Sequence, residues 1–455
     1  MRLFGKFAVV SAVALAVTSV SLAVPAASET LREAMLSAYR RNPTLQAERA
    51  RQRVTDELVP QAKSGWRPTI NGSESASHTW SDQTPGAPAK VTSFNMNIQL
   101  SQPIFRGFRT VEGIKLAEAN VQQGRENLLG VEQTVLLQAA TAYADVMRDR
   151  KILDIRRKNL VNLGKEASAA SARFKAGELT RTDVAQAQSQ VSGAQGAVAS
   201  AQASLGISSA AYLAIIGHEP GALAAAARGP VPESLSRALD VASETNPSVL
   251  AAAYGHDASL HNVNIAKGAL LPTLSLQATA SAARNFSTFV KRTESATVQG
   301  VLNVPIYQAG SEYSAIREAK QRASQSGIQI ISATRSVRQQ VAVAWATYTA
   351  AGQAIVSAKA QVASAALALD GVQQEYQVGS RTTVDVLNAE QSLLAARVSQ
   401  AGAERDQLVA SYQLVSSIGH LTARRLSLGG PYYDPVQNYD TVKNKWIGTD
   451  ADTLQ

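Results

Sequence analysis

Residues able to do chemistry are few in this sequence. The chain of 455 residues contains no cysteine, which excludes disulfides, thiolate metal sites and cysteine nucleophiles. It also lacks an HExxH metal motif, a phosphate-binding GxxxxGKS/T motif, a GxSxG nucleophile motif and a dinucleotide fingerprint. The five histidines fit none of these motifs; they are His78, His218, His256, His261 and His420. The sequence therefore predicts that the protein is not an enzyme and needs neither a metal nor a cofactor.

Two aspartates at equivalent places are the most suggestive polar residues. Asp183 and Asp385 each precede a valine, and each follows a glycine, Gly177 or Gly379, by six residues. Because glycine commonly ends a helix and aspartate is favoured at a helix start, each pair predicts a turn between two helices. Helix capping is therefore one interpretation of both aspartates.

These turns belong to a duplication that spans most of the chain. Asn42-Pro43 recurs as Asn246-Pro247, and Pro103 recurs as Pro305, each proline being followed by isoleucine and an aromatic residue. A repeat this long indicates a duplicated domain and not a short solenoid unit. The predicted divisions are a first repeat over 29–218, a linker over 219–236, a second repeat over 237–420 and a C-terminal tail over 421–455.

Each repeat combines long helices with one β-hairpin, so the predicted fold class is mainly α with a small β part. The Asn-Pro pairs start a helix, which we expect to run unbroken to Pro68 or Pro272. Alternating apolar and polar residues predict strands of about ten residues in hairpins at about 69–105 and 272–306. The proline-free stretches that follow predict helices of up to about 100 Å, too long for a compact domain, which must pack side by side as coiled coils.

The N-terminus predicts export. Arg2 and Lys6 precede an apolar run that ends in small residues near Ser28, the arrangement of a secretory signal peptide over residues 1–28. A single N-terminal membrane anchor is the alternative, which the short, serine-interrupted run disfavours. The net charge of +9 would permit a nucleic-acid partner. Export and the dispersed basic residues argue against one.

The predicted strands need partners from other chains. Four strands cannot close a barrel, for which about eight is the minimum, and unpaired strand edges are too costly in lipid. Three copies of a four-stranded chain would supply twelve strands, enough for a transmembrane β-barrel with a polar lumen. A small soluble sandwich is the alternative, but the sequence offers no opposing sheet.

Taken together, these features resemble the TolC family of outer-membrane efflux and secretion channel-tunnel proteins. The most specific part is Gly379-Ser380-Arg381-Thr382-Thr383-Val384-Asp385-Val386-Leu387-Asn388-Ala389. The resemblance implies a homotrimer whose β-barrel spans the outer membrane of a Gram-negative bacterium and whose α-helical barrel extends into the periplasm. It implies a passive duct for tripartite drug efflux or type I protein secretion, opened by a periplasmic adaptor (membrane fusion protein) and an inner-membrane RND or ABC transporter.

The resemblance also implies a pore constriction at Asp385. The family has a second aspartate three positions later, where this chain has the neutral Asn388. Three Asp385 carboxylates in a ring would favour cations and raise one another's pKa. A helix cap without a pore role is the other interpretation of Asp385.

Periplasmic gate latches near the helix turns are implied as well. The expected links are Asp183 with Tyr376, Arg381 with Thr182 or Asp183, and Glu166 with Gln373. For Thr182 and Asp183, helix capping is the simpler interpretation. A soluble periplasmic coiled-coil adaptor or scaffold is the alternative function, although such a protein would need neither amphipathic hairpins nor a duplicated body.

Overall fold

The computed structural model describes residues 28–451 apart from residues 83, 86 and 288. The predicted signal peptide lies outside the described residues, except for Ser28. The helices are α1 (Leu31–Arg41), α2 (Pro43–Asp56), α3 (Leu58–Lys63), α4 (Arg109–Lys175), α5 (Arg181–Ile216), α6 (Leu235–Thr245), α7 (Pro247–Gly268), α8 (Ser311–Gln377), α9 (Thr383–Ser417) and α10 (Pro435–Val442). The strands are β1 (Thr69–Ser81), β2 (Ala89–Arg106), β3 (Thr273–Arg284) and β4 (Arg292–Asn303).

The four strands form one antiparallel sheet in the order β1-β2-β3-β4. The two predicted hairpins are joined because β2 pairs with β3, which places Ile98 opposite Ala280. The strands contain 13, 18, 12 and 12 residues, so the predicted length was too short. β2 is longest because it continues through a register shift between Pro103 and Phe105. Among the described strands, β1 and β4 each pair on one side only, which leaves both sheet edges open.

The register gives the sheet one apolar and one polar face. Residues directly opposite each other share a face: Ile70, Leu100 and Ala278 lie in one row, and Gln99 and Thr279 lie in the next. From Phe94 to Gln99 on β2 the apolar residues are exposed, whereas the polar residues between them are partly covered. This is the pattern of a sheet that curves around its polar face.

Two helical hairpins form the bulk of the chain. α4 and α8 contain 67 residues each, which corresponds to about 100 Å. α4 packs along α5, α8 packs along α9, and α4 also contacts α7 and α9. The buried positions on α5 and α8 are mostly small, as at Ala194, Ala201, Ala351 and Ala358, so neighbouring helix axes can approach closely. The predicted mainly helical, duplicated fold class is thus confirmed.

The sequence predicted that the helix beginning at Pro43 runs unbroken to Pro68, but the observed helix is shorter. It ends at Asp56, and α3 begins at Leu58. Pro60 explains the break, because it lies in the first turn of α3, where a missing N–H removes no helical hydrogen bond. In the second half α7 is continuous up to Gly268.

The asparagines of the two Asn-Pro pairs connect separate helices. Asn42 accepts a bond from the backbone N–H two residues later and donates to the Ile215 carbonyl at 3.0 Å. Asn246 repeats this arrangement and donates to the Ser417 carbonyl at 2.8 Å. Each side chain therefore caps one helix and satisfies a leftover carbonyl at the end of another.

The largest apolar core lies where α1, α4 and α5 meet the linker. Tyr143 is fully buried, and its hydroxyl lies 2.7 Å from the carbonyl oxygens of both Glu29 and Ala224. Tyr212 is also fully buried and donates to the Glu29 carboxylate at 2.7 Å. The linker is therefore packed across the middle of the long helices.

The C-terminal tail follows the first half toward the sheet. Asn438 on α10 donates to the buried carboxylate of Asp56 at 2.8 Å. Farther along, Arg67 donates to the Lys445 carbonyl at 2.9 Å and covers the Trp446 ring. Because Arg67 lies just before β1, the tail reaches the base of the sheet.

Candidate constriction and gate at the helix turns

Both long hairpins end in turns of the same form. Gly177 and Gly379 have φ values of 83° and 80°, in the left-handed region that glycine adopts without strain. Each turn is closed by a backbone hydrogen bond of 2.9 Å, from Glu178 to Arg173 and from Ser380 to Glu375. The sequence prediction of two equivalent turns is confirmed.

A capping box starts the helix after each turn. The Asp183 carboxylate accepts from the backbone N–H of Thr180 at 3.0 Å and from its hydroxyl at 2.7 Å. Asp385 accepts from Thr382 in the same way, at 2.9 Å and 2.8 Å. The cap residue of the first turn is Thr180 and not Thr182, so the capping interpretation of Thr182 was wrong. Capping accounts for a local role of both aspartates.

The capping boxes also set the charge of both aspartates. Hydrogen bonds from the Thr382 backbone and side chain, with a smaller effect of Arg381, hold the pKa of Asp385 below its usual value. Bonds from the Thr180 side chain and backbone likewise lower the pKa of Asp183. Within one chain, Asp385 is therefore stabilised as a carboxylate, opposite in direction to the effect expected from repulsion around a ring.

Tyr376 and Arg381 have hydrogen-bond partners of their own within the chain. Arg173 donates to the Tyr376 hydroxyl at 2.7 Å and lies 5.1 Å from its ring centroid, and the hydroxyl lies 3.2 Å from that of Thr383. Arg381 donates to the Glu375 carboxylate at 2.7 Å. Among the described residues, these bonds replace the links expected from Tyr376 and Arg381 to the first turn.

Sequence reasoning missed Arg173 and Glu375, although a signal was present. Each residue lies four positions before the glycine of its turn, so the two occupy equivalent positions in the two repeats. They carry opposite charges at the point where the two hairpin ends meet. A comparison of the repeats for charge reversal, and not only for identity, would have identified both.

The third expected link is also not formed within the chain. No hydrogen bond joins Glu166 to Gln373 among the described residues, and both side chains are partly exposed. The charge of Glu166 acts instead on Glu390, a buried carboxylate on α9 whose pKa is raised by burial and by that charge. Asn388, one turn after Asp385, is exposed.

Metal and membrane features of the described residues are limited. Within residues 28–451, apart from the three gaps, no group of three or more His, Cys, Asp or Glu side chains is arranged to hold a metal ion. Two helices, α5 and α8, are long and apolar enough to cross a membrane by length and composition alone. Only 6% of the apolar 18-residue stretch of α8 is buried within the chain.

An open amphipathic sheet continued by helical hairpins of about 100 Å defines a class of outer-membrane channel proteins. The family model described as outer membrane efflux protein matches residues 35–218 and again residues 238–420. The chain therefore belongs to the outer membrane efflux protein family. Two matches in one chain agree with the duplication predicted from the sequence, and the family assignment confirms the predicted outer-membrane location.

Curated relatives match over nearly the whole chain. Outer membrane efflux protein BepC of Brucella suis biovar 1 is 40% identical over 426 residues, which cover 93% of this chain and 92% of that protein. Outer membrane protein TolC of Vibrio cholerae serotype O1 is 28% identical over 407 residues, covering 87% and 92%. The predicted resemblance to the TolC family is confirmed.

Solved structures share the fold. The Campylobacter jejuni CmeC outer membrane channel has a TM-score of 0.77 at 14% identity, covering 91% of this chain and 89% of that one. The open state of the Neisseria gonorrhoeae MtrE outer membrane channel has a TM-score of 0.73 at 19% identity, covering 86% and 89%. The family model and BepC are both described as outer membrane efflux proteins, so the comparisons do not support the alternative of a soluble adaptor.

Proposed function

We propose that the chain forms a homotrimeric outer-membrane channel-tunnel, a passive exit duct that carries out no catalysis. The observation that carries this proposal is the sheet with two open edges, because exposed strand edges are not tolerated in lipid. Closure through β1 of one copy and β4 of the next satisfies both edges. With three copies the barrel has an even number of strands, as outer-membrane barrels of bacteria do.

The faces of the sheet agree with this closure. The exposed convex face carries residues such as Phe94, Met96 and Ile98, which suit contact with lipid. The concave face carries Asn, Gln, Ser and Thr, which suit a water-filled lumen. The long helices then continue the lumen into the periplasm.

The expected partners are a periplasmic adaptor and an inner-membrane RND or ABC transporter. The names of the relatives suggest both efflux and protein secretion. BepC is named as an efflux protein, and AprF of Pseudomonas aeruginosa, 23% identical over 346 residues, is named as an alkaline protease secretion protein. The duct itself offers no enzyme motif to power export. Energy must therefore come from such a partner.

We infer further that Asp385 lines the constriction at the periplasmic end, with Asn388 as a neutral second ring. Thr182, Asp183, Tyr376 and Arg381 are the proposed latch residues between neighbouring hairpins, and Glu166 with Gln373 is a further proposed link. The turns bring the polar residues of both hairpins to the same end of the chain, which supports this assignment. The Arg173–Tyr376 bond already joins the two hairpins there.

Disulfide trapping tests the closure directly, because the chain has no cysteine of its own. Ser75→Cys on β1 is combined in turn with Ser295→Cys, Thr297→Cys or Gln299→Cys on β4, which covers three registers. After oxidation, at least one combination should give covalent dimers and trimers on a denaturing gel. Dimers without trimers in every combination would argue against threefold closure.

A matched pair inside the sheet provides the control. Asn97 and Ser281 are direct partners between β2 and β3. Asn97→Cys combined with Ser281→Cys should form a disulfide within one chain and run as a monomer. Covalent oligomers from this pair would mean that random collision, and not edge pairing, produces the crosslinks.

A further inference from the structure

Glu390 is a buried carboxylate at the contact between the two helical hairpins. It lies on α9 with 8% of its surface exposed, and its Oε2 atom has no hydrogen-bond partner among the described residues. It lines a cavity of about 40 Å³ between α4, α8 and α9. An ionised carboxylate buried without a partner is strongly disfavoured. Glu390 is therefore expected either to hold a proton or, when ionised, to move toward water.

The charged groups around Glu390 do not neutralise the negative charge that its carboxylate carries when ionised. Glu166 on α4 is the neighbour whose charge acts on it, and that charge is of the same sign. Lys158 on α4 and Arg397 on α9 also line the cavity, but Lys158 is paired with Asp154 at 2.7 Å. No ion pair to Glu390 is formed among the described residues. α8 contributes only the apolar Leu369 to the lining.

We propose that Glu390 is a proton-sensitive joint between α4 and α9. When its carboxyl group holds a proton from solvent, α4 packs against α9 as in this structure. When the proton is released to solvent, an ionised carboxylate with an unpartnered oxygen is left at the contact, and the helices separate locally. The gating consequence rests on the proposed function: α4 and α9 lead to the two turns that carry the proposed gate, so deprotonation loosens that end of the duct.

The direction of the pH dependence follows from the pKa shift. Burial, together with Glu166, raises the pKa of Glu390 above 4.5 in the packed arrangement. The stabilisation from the proton is therefore complete below about pH 4.5 and is lost as pH rises through the raised pKa. Asp183 and Asp385 have lowered pKa values, so they do not titrate in this range.

Hydrogen exchange measured by mass spectrometry tests the joint in the purified full-length protein, without requiring channel activity. Segments 155–166 and 387–397 are compared at about pH 5 and about pH 7 in the presence of a chelator, after correction for intrinsic exchange. In the wild type, exchange of both segments should be faster by a factor of about three at the higher pH. Glu390→Gln, which mimics the protonated side chain, should exchange slowly at both pH values.

Two further variants make the outcome decisive. Glu166→Gln removes the like charge and should also reduce the pH difference, which provides a second test if Glu390→Gln does not fold. Glu404→Gln, on the same helix at a surface pair with Lys151, should behave as the wild type. The joint is refuted if Glu390→Gln or Glu166→Gln keeps the full wild-type pH difference, or if Glu404→Gln loses it.

Conductance in planar bilayers then tests the gating consequence separately. Wild-type conductance should rise between about pH 5 and about pH 7, and that of Glu390→Gln should stay flat. If no variant conducts while the exchange results hold, the channel proposal fails and the joint survives. If all variants conduct with the same pH profile, the joint does not control the gate.

Discussion

At the scale of single residues, Asp385 has a capping role that can be separated from its proposed pore role. Asp183 makes the same capping box in the first repeat. Asparagine keeps an oxygen that accepts the bond from the threonine N–H but removes the charge. We expect Asp385→Asn to lower the cation-to-anion permeability ratio about threefold, whereas Asp183→Asn leaves it unchanged. Reversal potentials in planar bilayers under a salt gradient measure this ratio.

The outcome distinguishes the two interpretations of Asp385. Equal selectivity in both variants and the wild type would leave capping as the only role of Asp385. The lowered pKa of Asp385 adds a pH condition. Because its pKa lies below the ordinary value of 3.8, the carboxylate stays charged at about pH 4 and above, so cation preference should persist down to about pH 4 and be lost only below it. Recordings of the wild type over this range check the condition.

Arg381 presents a similar choice between a local and a latching role. Its ion pair with Glu375 is half exposed on both sides, and exposed pairs of this kind are screened by water and contribute little to stability. If Arg381 also holds a neighbouring hairpin, Arg381→Ser should raise the mean open conductance about twofold or more, while Glu375→Gln raises it less. Single-channel recording compares the two. Equal effects would assign Arg381 to its local pair alone.

At the scale of elements, the capping boxes should control how firmly the turns are closed. Loss of a threonine cap costs about 1 kcal/mol of helix stability, and the adjacent Arg181 and Arg381 are trypsin sites. We expect Thr180→Ala to accelerate cleavage after Arg181, and Thr382→Ala after Arg381, by about fivefold in limited proteolysis. Thr182→Ala is the matched control and should cleave at the wild-type rate. Faster cleavage of the control would mean that Thr182 protects the turn through its proposed latch and that capping alone does not set the cleavage rate.

The elements themselves were largely predictable from sequence, and their contacts were not. Proline, glycine and the period of hydrophobicity act locally, so the long helices, turns and strands could be placed from residue types alone. The break before Pro60 was missed although proline is disfavoured inside a helix, so the sequence already contained this signal. The close approach of Gly107 to Gly268, where an added Cβ would collide with the Gly268 carbonyl oxygen, depends on packing between the repeats.

The candidate site shows the same limit. The residues at the turns could be named from the resemblance, because the motif around Asp385 is local. The contacts of these residues were not predicted. Tyr376 meets Arg173 where the ends of two hairpins come together, which no local pattern shows, whereas Arg381 pairs with Glu375 six residues earlier within one turn. Glu390 was missed for a related reason: a glutamate in an amphipathic helix is predicted to face water, and only packing of α9 against α4 buries it.

At the scale of the whole molecule, α8 is apolar on two opposite sides. Val337, Val341 and Ala344 are buried against the rest of the chain. A second set is 53–74% exposed; its members are Ile328, Ile331, Val343, Val356 and Leu367. At 100° per residue this second set falls within about 140° around the helix axis, opposite the buried side. One chain therefore leaves an apolar stripe along α8 uncovered.

The stripe explains why α8 has the composition of a membrane span, and it offers a test of the trimer. If neighbouring copies cover the stripe, Ile331→Glu and Val356→Glu bury a charge at the interface and should shift most of the protein from trimer to monomer, a loss of about 3 kcal/mol or more. Thr347→Glu, on the exposed flank of the same helix, should leave the trimer intact. Light scattering of the detergent-purified protein measures the mass. Trimers that tolerate both stripe variants would place the stripe outside the interface, and α8 would then need another apolar environment.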